Sequence, residues 1–150
     1  MAGTSSSLRR AGATLLGVAL AAAAIGGVAA AKPDDEPKPK PKLELRTESQ
    51  EEALRNKAIK VAVRSKRGDE VRVKATLVVD AFPSPHTFKL GPESKRLRDG
   101  KAKVRLNLSA RKREVLAFAA QACDKATVEV EARAARETGS LEGTLRPEDC

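Results

Sequence analysis

Cys123 and Cys150 are the only two cysteines in this chain, and an even count in an exported chain points first to a disulfide. The bond would close a loop of about 28 residues, for which chain-entropy estimates give about 3–4 kcal/mol. It would pin a C-terminus that otherwise frays. A two-cysteine metal site is not expected, because His86 is the only histidine and no second one offers itself as a ligand. No metal and no cofactor are expected.

His86 follows the proline loop Phe82, Pro83, Ser84 and Pro85, with Asp80 just ahead of it. Ser84, His86 and Asp80 are the residue types of a nucleophile, its base and the group that orients the base. Such a set within seven residues still requires a supporting oxyanion site, and nothing in the sequence suggests one. Phosphate-cradling glycine loops, HExxH patterns and paired-carboxylate signatures are absent as well. Catalysis is therefore not expected. The same segment can serve differently, as a proline-stiffened loop presenting Phe82, Pro83, Pro85 and His86 to a protein partner.

A third group of residues is basic. Arg64, Arg72, Lys74, Lys103 and Arg105 fall on the expected outward faces of three strands, with Lys66 and Arg67 in an adjoining turn. If those strands share one sheet, their outer surface is a positive stripe suited to phosphate-rich wall polymers or acidic glycans. Glu129, Glu131 and Glu142 also point outward, and cross-strand pairing with them would neutralise the stripe. The outcome rests on strand order. Two further clusters, Lys95, Arg96 and Arg98 and then Arg111, Lys112 and Arg113, read equally well as solvated faces.

The elements that must position these groups are mostly strands. Ile59, Val61 and Val63 alternate with Lys60 and Arg64, and Val71, Val73, Ala75, Leu77 and Val79 alternate with Arg72, Lys74 and Thr76. Gly68-Asp69 lies between these runs, which predicts an antiparallel hairpin. Thr87 to Leu90 reads as a short strand closed by Gly91-Pro92, and Asp99-Gly100 as a turn into the next strand. Val104, Leu106 and Leu108 then alternate with Lys103, Arg105 and Asn107, as do Val128, Val130 and Ala132 with Thr127, Glu129 and Glu131. Gly139 marks a turn before a terminal strand with Leu141, Gly143 and Leu145 on one face.

Helices are few. Ser49 and Glu52 fit a capping box at the start of a short helix, Gln50 to about Lys57. A second helix follows Ser109, with Val115, Phe118, Ala119 and Ala122 on the face expected to rest on the sheet edge. Five or six strands with little helix indicate a mainly β, small antiparallel, Ig-like two-sheet sandwich with one short crossover helix and one short N-terminal helix.

Composition narrows the function classes. The chain has 29 Lys and Arg against 20 Asp and Glu, a net charge of +9, which favours anionic polymers and also solubility. Three Phe, no Tyr and no Trp remove the usual stacking platforms for single-stranded nucleic acid and for sugar rings. Nucleic acid is therefore not an expected partner.

Residues 1–31 read as a signal peptide, with Arg9 and Arg10 as the positive region, Ala13 to Gly27 as the apolar stretch and Ala29, Ala30 and Ala31 as the cleavage pattern. If Ala11 to Ala31 were kept as an anchor instead, the membrane would be a partner. Residues 32–42, with prolines at 33, 37, 39 and 41, form an extended Pro/Lys-rich linker. Residues 43–150 form the β-sandwich domain. The expected location is outside the cell, in association with its wall.

The order in which a strand passes through Leu108-Ser109 and Leu116-Ala117 to a strand with Val128, Val130 and Ala132 resembles a known group. Single immunoglobulin-like or fibronectin type III-like modules exported by high-GC Gram-positive bacteria share it, and the resemblance covers roughly Ala58 to Leu145. The chain departs from antibody-type domains in lacking their core Trp and paired core Cys. The resemblance implies adhesion, scaffolding or wall association, and no particular ligand.

Overall fold

Every second residue of the strands spanning residues 70–79, 101–107 and 126–134 is buried, and that period sets the architecture. The computed structural model describes residues 37–150, so the expected signal peptide, residues 1–31, and residues 32–36 of the expected linker lie outside the described residues. The chain runs β1 (Lys42–Leu45), α1 (Gln50–Asn56), β2 (Ala58–Arg64), β3 (Glu70–Val79), β4 (His86–Arg96), β5 (Lys101–Asn107), α2 (Ala110–Gln121), β6 (Ala126–Ala134) and β7 (Glu137–Leu145). The strands form two antiparallel sheets, one ordered β1-β2-β5 and the other β4-β3-β6-β7. This is a small, mainly β two-sheet sandwich, as the alternation predicts.

The core is aliphatic. Ile59, Val61 and Val63 from β2 and Val104 and Leu106 from β5 meet Val71, Val73, Leu77 and Val79 from β3 and Val128, Val130 and Ala132 from β6. Ala102, Ala126 and Ala134 extend the alternation at the strand ends. Leu43 and Leu45 of β1 pack against this core, so the segment before β2 is part of the sandwich.

Several local expectations are overturned. Ala58–Arg64 and Glu70–Val79 do not pair as a hairpin: β2 and β3 lie in different sheets and their apolar faces oppose each other across the core. The ends of their connection bond elsewhere, Ser65 N–H donating to the Gly100 carbonyl at 2.8 Å and Leu97 N–H to the Asp69 carbonyl at 2.8 Å. The Asp99-Gly100 turn does form, since Arg98 and Lys101 exchange backbone hydrogen bonds at 2.8 and 2.9 Å. The strands on either side of it nevertheless belong to different sheets.

Gly91-Pro92 does not close its strand. β4 continues to Arg96 through a bulge, in which Gly91 and Pro92 together oppose Lys74 while Leu90 pairs with Ala75 and Glu93 with Val73. An edge strand tolerates a proline there because no ladder partner is lost. Gly139 is likewise no turn but a residue of β7, and the turn is Ala135 and Arg136, with Ala135 at φ 53°. Gly139 is small because the Pro41 carbonyl lies where its Cβ would sit. Gly139→Ala is expected to destabilise the domain by about 1–3 kcal/mol through overpacking, read as a lower urea midpoint at unchanged slope.

At α1 the cap is close to expectation. Glu52 N–H donates to Ser49 Oγ at 3.0 Å, while Glu52 Oε2 accepts from Glu48 N–H at 3.1 Å, one residue earlier than a capping box requires. In α2 the phase differs: Leu116 and Ala119 are buried and Val115 is half-buried, but Phe118 is 58% exposed. Leu116, not Phe118, supplies the helix's large core side chain.

Candidate functional site

The five basic residues singled out in the sequence do not share a surface. Arg64 lies on β2 and Lys103 and Arg105 on β5, all in the three-stranded sheet, whereas Arg72 and Lys74 lie on β3 in the other sheet. A single stripe across three strands is thus ruled out by strand order. Two separate outer faces take its place, and they differ in charge.

On the three-stranded sheet, the backbone register lines up outward residues in rows. Lys42, Arg64 and Lys101 stand directly opposite one another, then Glu44, Ala62 and Lys103, and Lys60 stands opposite Arg105. Arg46 continues the outward phase of β1 and is joined to Lys60 through its backbone N–H at 2.9 Å. The face therefore carries seven cations, Lys42, Arg46, Lys60, Arg64, Lys101, Lys103 and Arg105, and one carboxylate, Glu44. That carboxylate is engaged by Arg46 at 3.2 Å. Arg105 also donates one Nη2 hydrogen bond to the Asn56 carbonyl, which leaves other guanidinium donors free of that contact.

Neighbouring strands are about 4.8 Å apart, and like charges directly opposite each other repel. The row Lys42, Arg64 and Lys101 is such an arrangement, and among the described residues no ion pair relieves it. An anion laid over the face would. Lys60, already outward in the sequence pattern, belongs to this site, and so do Lys42, Arg46 and Lys101. The signal for β1 is the alternation Lys42, Leu43, Glu44, Leu45, Arg46, obscured because the lysine-proline pattern of the linker runs directly into it.

The outer face of the four-stranded sheet is mixed. Lys74 pairs with Glu131 at 3.0 Å, the cross-strand neutralisation foreseen for the glutamates. Arg72 stands opposite Arg133, and Glu129 opposite Glu142. A shallow groove of about 580 Å³ lies over this sheet, lined by Lys74, Thr76, Lys89 and the bulge on one side and by Glu129, Glu131, Ser140 and Glu142 on the other.

The proline loop projects from the end of the sandwich that also carries the β6 entry. Asp80 N–H donates to the Lys125 carbonyl at 3.0 Å and Ala81 is buried, whereas Phe82 is 88% exposed and Pro83, Ser84 and Pro85 are exposed. His86 is the first residue of β4, with its ring stacked on Phe88 at a centroid distance of 6.2 Å. Among the described residues, no group of three or more His, Cys, Asp or Glu is placed to hold a metal ion, and no helix is long and apolar enough to cross a membrane.

Cys123 and Cys150 are disulfide-bonded, with Cα atoms 5.7 Å apart, inside the usual range. The bond is one part of a clasp. Buried Gln50 donates through Nε2 to the carbonyls of Asp124 at 2.6 Å and Leu145 at 3.2 Å, and its backbone N–H donates to Arg146 at 3.0 Å. Ser49 donates through Oγ to Glu148, whose N–H donates to Glu51 Oε2 at 3.0 Å. The start of α1 thus holds the same tail that the disulfide holds.

Fold and faces together define a disulfide-stapled two-sheet β-sandwich with one strongly basic sheet face. Comparison with protein-family models, curated proteins and solved structures finds no match to this chain.

Proposed function

We propose that this chain is a non-catalytic, exported Ig-like β-sandwich module that associates with the cell envelope by binding an anionic wall polymer through the outer face of β1-β2-β5. The observation that carries this reading is the charge of that face, on which seven cations meet a single, already paired carboxylate. Support for the Ig-like assignment is the strand order, three strands against four with chain crossings between the sheets. Support for export is the disulfide, which suits an oxidising compartment, together with the leader and linker pattern of residues 1–42.

The test is retention on isolated cell-wall material at low salt. Arg64→Glu combined with Lys103→Glu is expected to lower the bound fraction at least about tenfold, because both changes remove cations and add repulsion at the polyanion. Arg72→Glu combined with Lys74→Glu, on the opposite face, is expected to leave retention within about twofold. Equal loss in both double variants would refute face-specific binding.

A second reading, a secreted inhibitor or partner-binding protein, is favoured by the 88% exposure of Phe82 in the proline loop. An isolated large aromatic held out on a stiff loop is the usual form of an anchor residue. Phe82→Ser is expected to abolish capture of such a partner without altering wall retention.

A further inference from the structure

We propose that the polymer on the basic face is a phosphodiester-linked polyol, bound as an extended strand running along β5 and over Ala62. This inference rests on the wall-polymer reading above and names the chemistry of its ligand.

Lys101, Lys103 and Arg105 are alternate, exposed residues of one strand. Alternate residues of a strand recur about every 6.6–6.8 Å, so these cations form a straight file about 13 Å long. The interval is close to the phosphorus-to-phosphorus repeat of an extended chain in which a three-carbon polyol separates successive phosphates. A uronic acid polymer spaces its carboxylates by one sugar ring, a shorter interval, and successive flipped rings turn them to opposite sides. Inorganic polyphosphate has a shorter repeat still.

The neighbouring strand shapes the track. Arg64 stands opposite Lys101 and Lys60 opposite Arg105, while Ala62 stands opposite Lys103. Ala62 is the outward residue of β2 between them without a long side chain, so the middle of the track has a low floor with a cation at each corner. No acidic residue lies on the outward positions of β2 or β5. The lysines act as point charges on flexible stems and the arginines offer planar donor forks that match phosphate oxygens, so both read the phosphates and neither reads the polyol spacers.

The face also argues against the other common phosphodiester polymer. The chain's three aromatic residues, Phe82, Phe88 and Phe118, all lie outside β1, β2 and β5. Bases of a single strand would find no ring to stack on, and stacking is a large part of how such strands are held.

The test is fluorescence anisotropy of labelled synthetic glycerol phosphate oligomers of one to six repeats with the purified disulfide-bonded protein. Oligogalacturonate and oligothymidylate of equal charge are the competitors. Glycerol phosphate is expected to bind at least about tenfold tighter than either competitor, with affinity rising to three repeats and then levelling. The log–log salt slope should be about −2, from roughly 0.7 counterions released per phosphate. Ala62→Glu, a carboxylate set in the middle of the track, should weaken binding at least tenfold, and Ala62→Gln should stay within threefold, with the same melting temperature for both.

Equal binding of oligogalacturonate or oligothymidylate, or an Ala62→Glu variant that binds like wild type, would overturn the inference. So would failure of all three oligomers to bind. If wall retention still depends on Arg64 and Lys103 in those cases, the basic-face reading stands and only the polymer class is wrong. If it does not, the reading itself fails.

Discussion

Leu77→Ala is expected to lower the unfolding free energy by about 3–5 kcal/mol, at the upper end of the range for a buried leucine truncation. Leu77 is fully buried near the end of β3, and β3 is the strand that holds β4 and β6 together. Its backbone partners are Phe88 on one side and Val128 on the other, so a cavity there borders three strands of one sheet and the facing sheet. Rigid pairing on both sides limits collapse into the hole, which is what raises the cost of a cavity. Domains of this size are stable by about 5–15 kcal/mol. Urea unfolding followed by far-UV circular dichroism should therefore show a midpoint drop of about a fifth or more at unchanged slope. A loss below about 1 kcal/mol would mean that the core repacks around the site.

Cys123→Ala with Cys150→Ala is expected to cost about 2–4 kcal/mol, with the fold retained. The disulfide acts mainly by restricting the unfolded chain, and its native neighbours keep the tail in place without it. Gln50 still reaches the Asp124 and Leu145 carbonyls, and Ser49 and Glu51 still hold Glu148. Amide exchange should accelerate most from Glu148 to Cys150 and at the start of α1, while β3 and β6 change only in proportion to global stability. Adding Gln50→Ala to the cysteine variant should cost more than the two changes separately, because both hold one segment.

The parts of this fold that were legible in the sequence are those decided within a single element. Val71 to Val79 alternates so regularly that its buried face is readable residue by residue, and the same holds for β2, β5 and the middle of β6. Ser49 and Glu52 mark a helix start because the cap chemistry is local, and two cysteines permit only one intramolecular pair. What was not legible depends on which surfaces meet. The alternation of β2 and β3 is the same whether they lie side by side in a sheet or face each other across a core. Gly68-Asp69 reverses the chain in either case. Phe118 reads as a core residue because α2 offers two apolar phases one residue apart, and the core accepts Leu116. Gly139 owes its size to Pro41, close to a hundred residues earlier in the chain.

The candidate site shows the same division. Each basic residue could be assigned an outward direction from its strand, and those directions hold for Arg64, Arg72, Lys74, Lys103 and Arg105. Their grouping could not, since it follows from β2 pairing with β5 while β3 pairs with β4 and β6. In sequence Lys42 reads as the last residue of the linker, although it begins β1 and sits in the most crowded cationic row. Register, and not composition, converts a chain of modest positive charge into one face with seven cations.

The most direct measurement is a titration of the ¹⁵N-labelled protein with a glycerol phosphate oligomer, reading which backbone amides shift. Shifts concentrated on outward residues of β1, β2 and β5, centred on Ala62, Arg64 and Lys103 and lost as salt rises, are the expected result. Shifts centred on β3, β6 and β7, or on the Phe82 loop, would contradict the placement of the site on the three-stranded sheet.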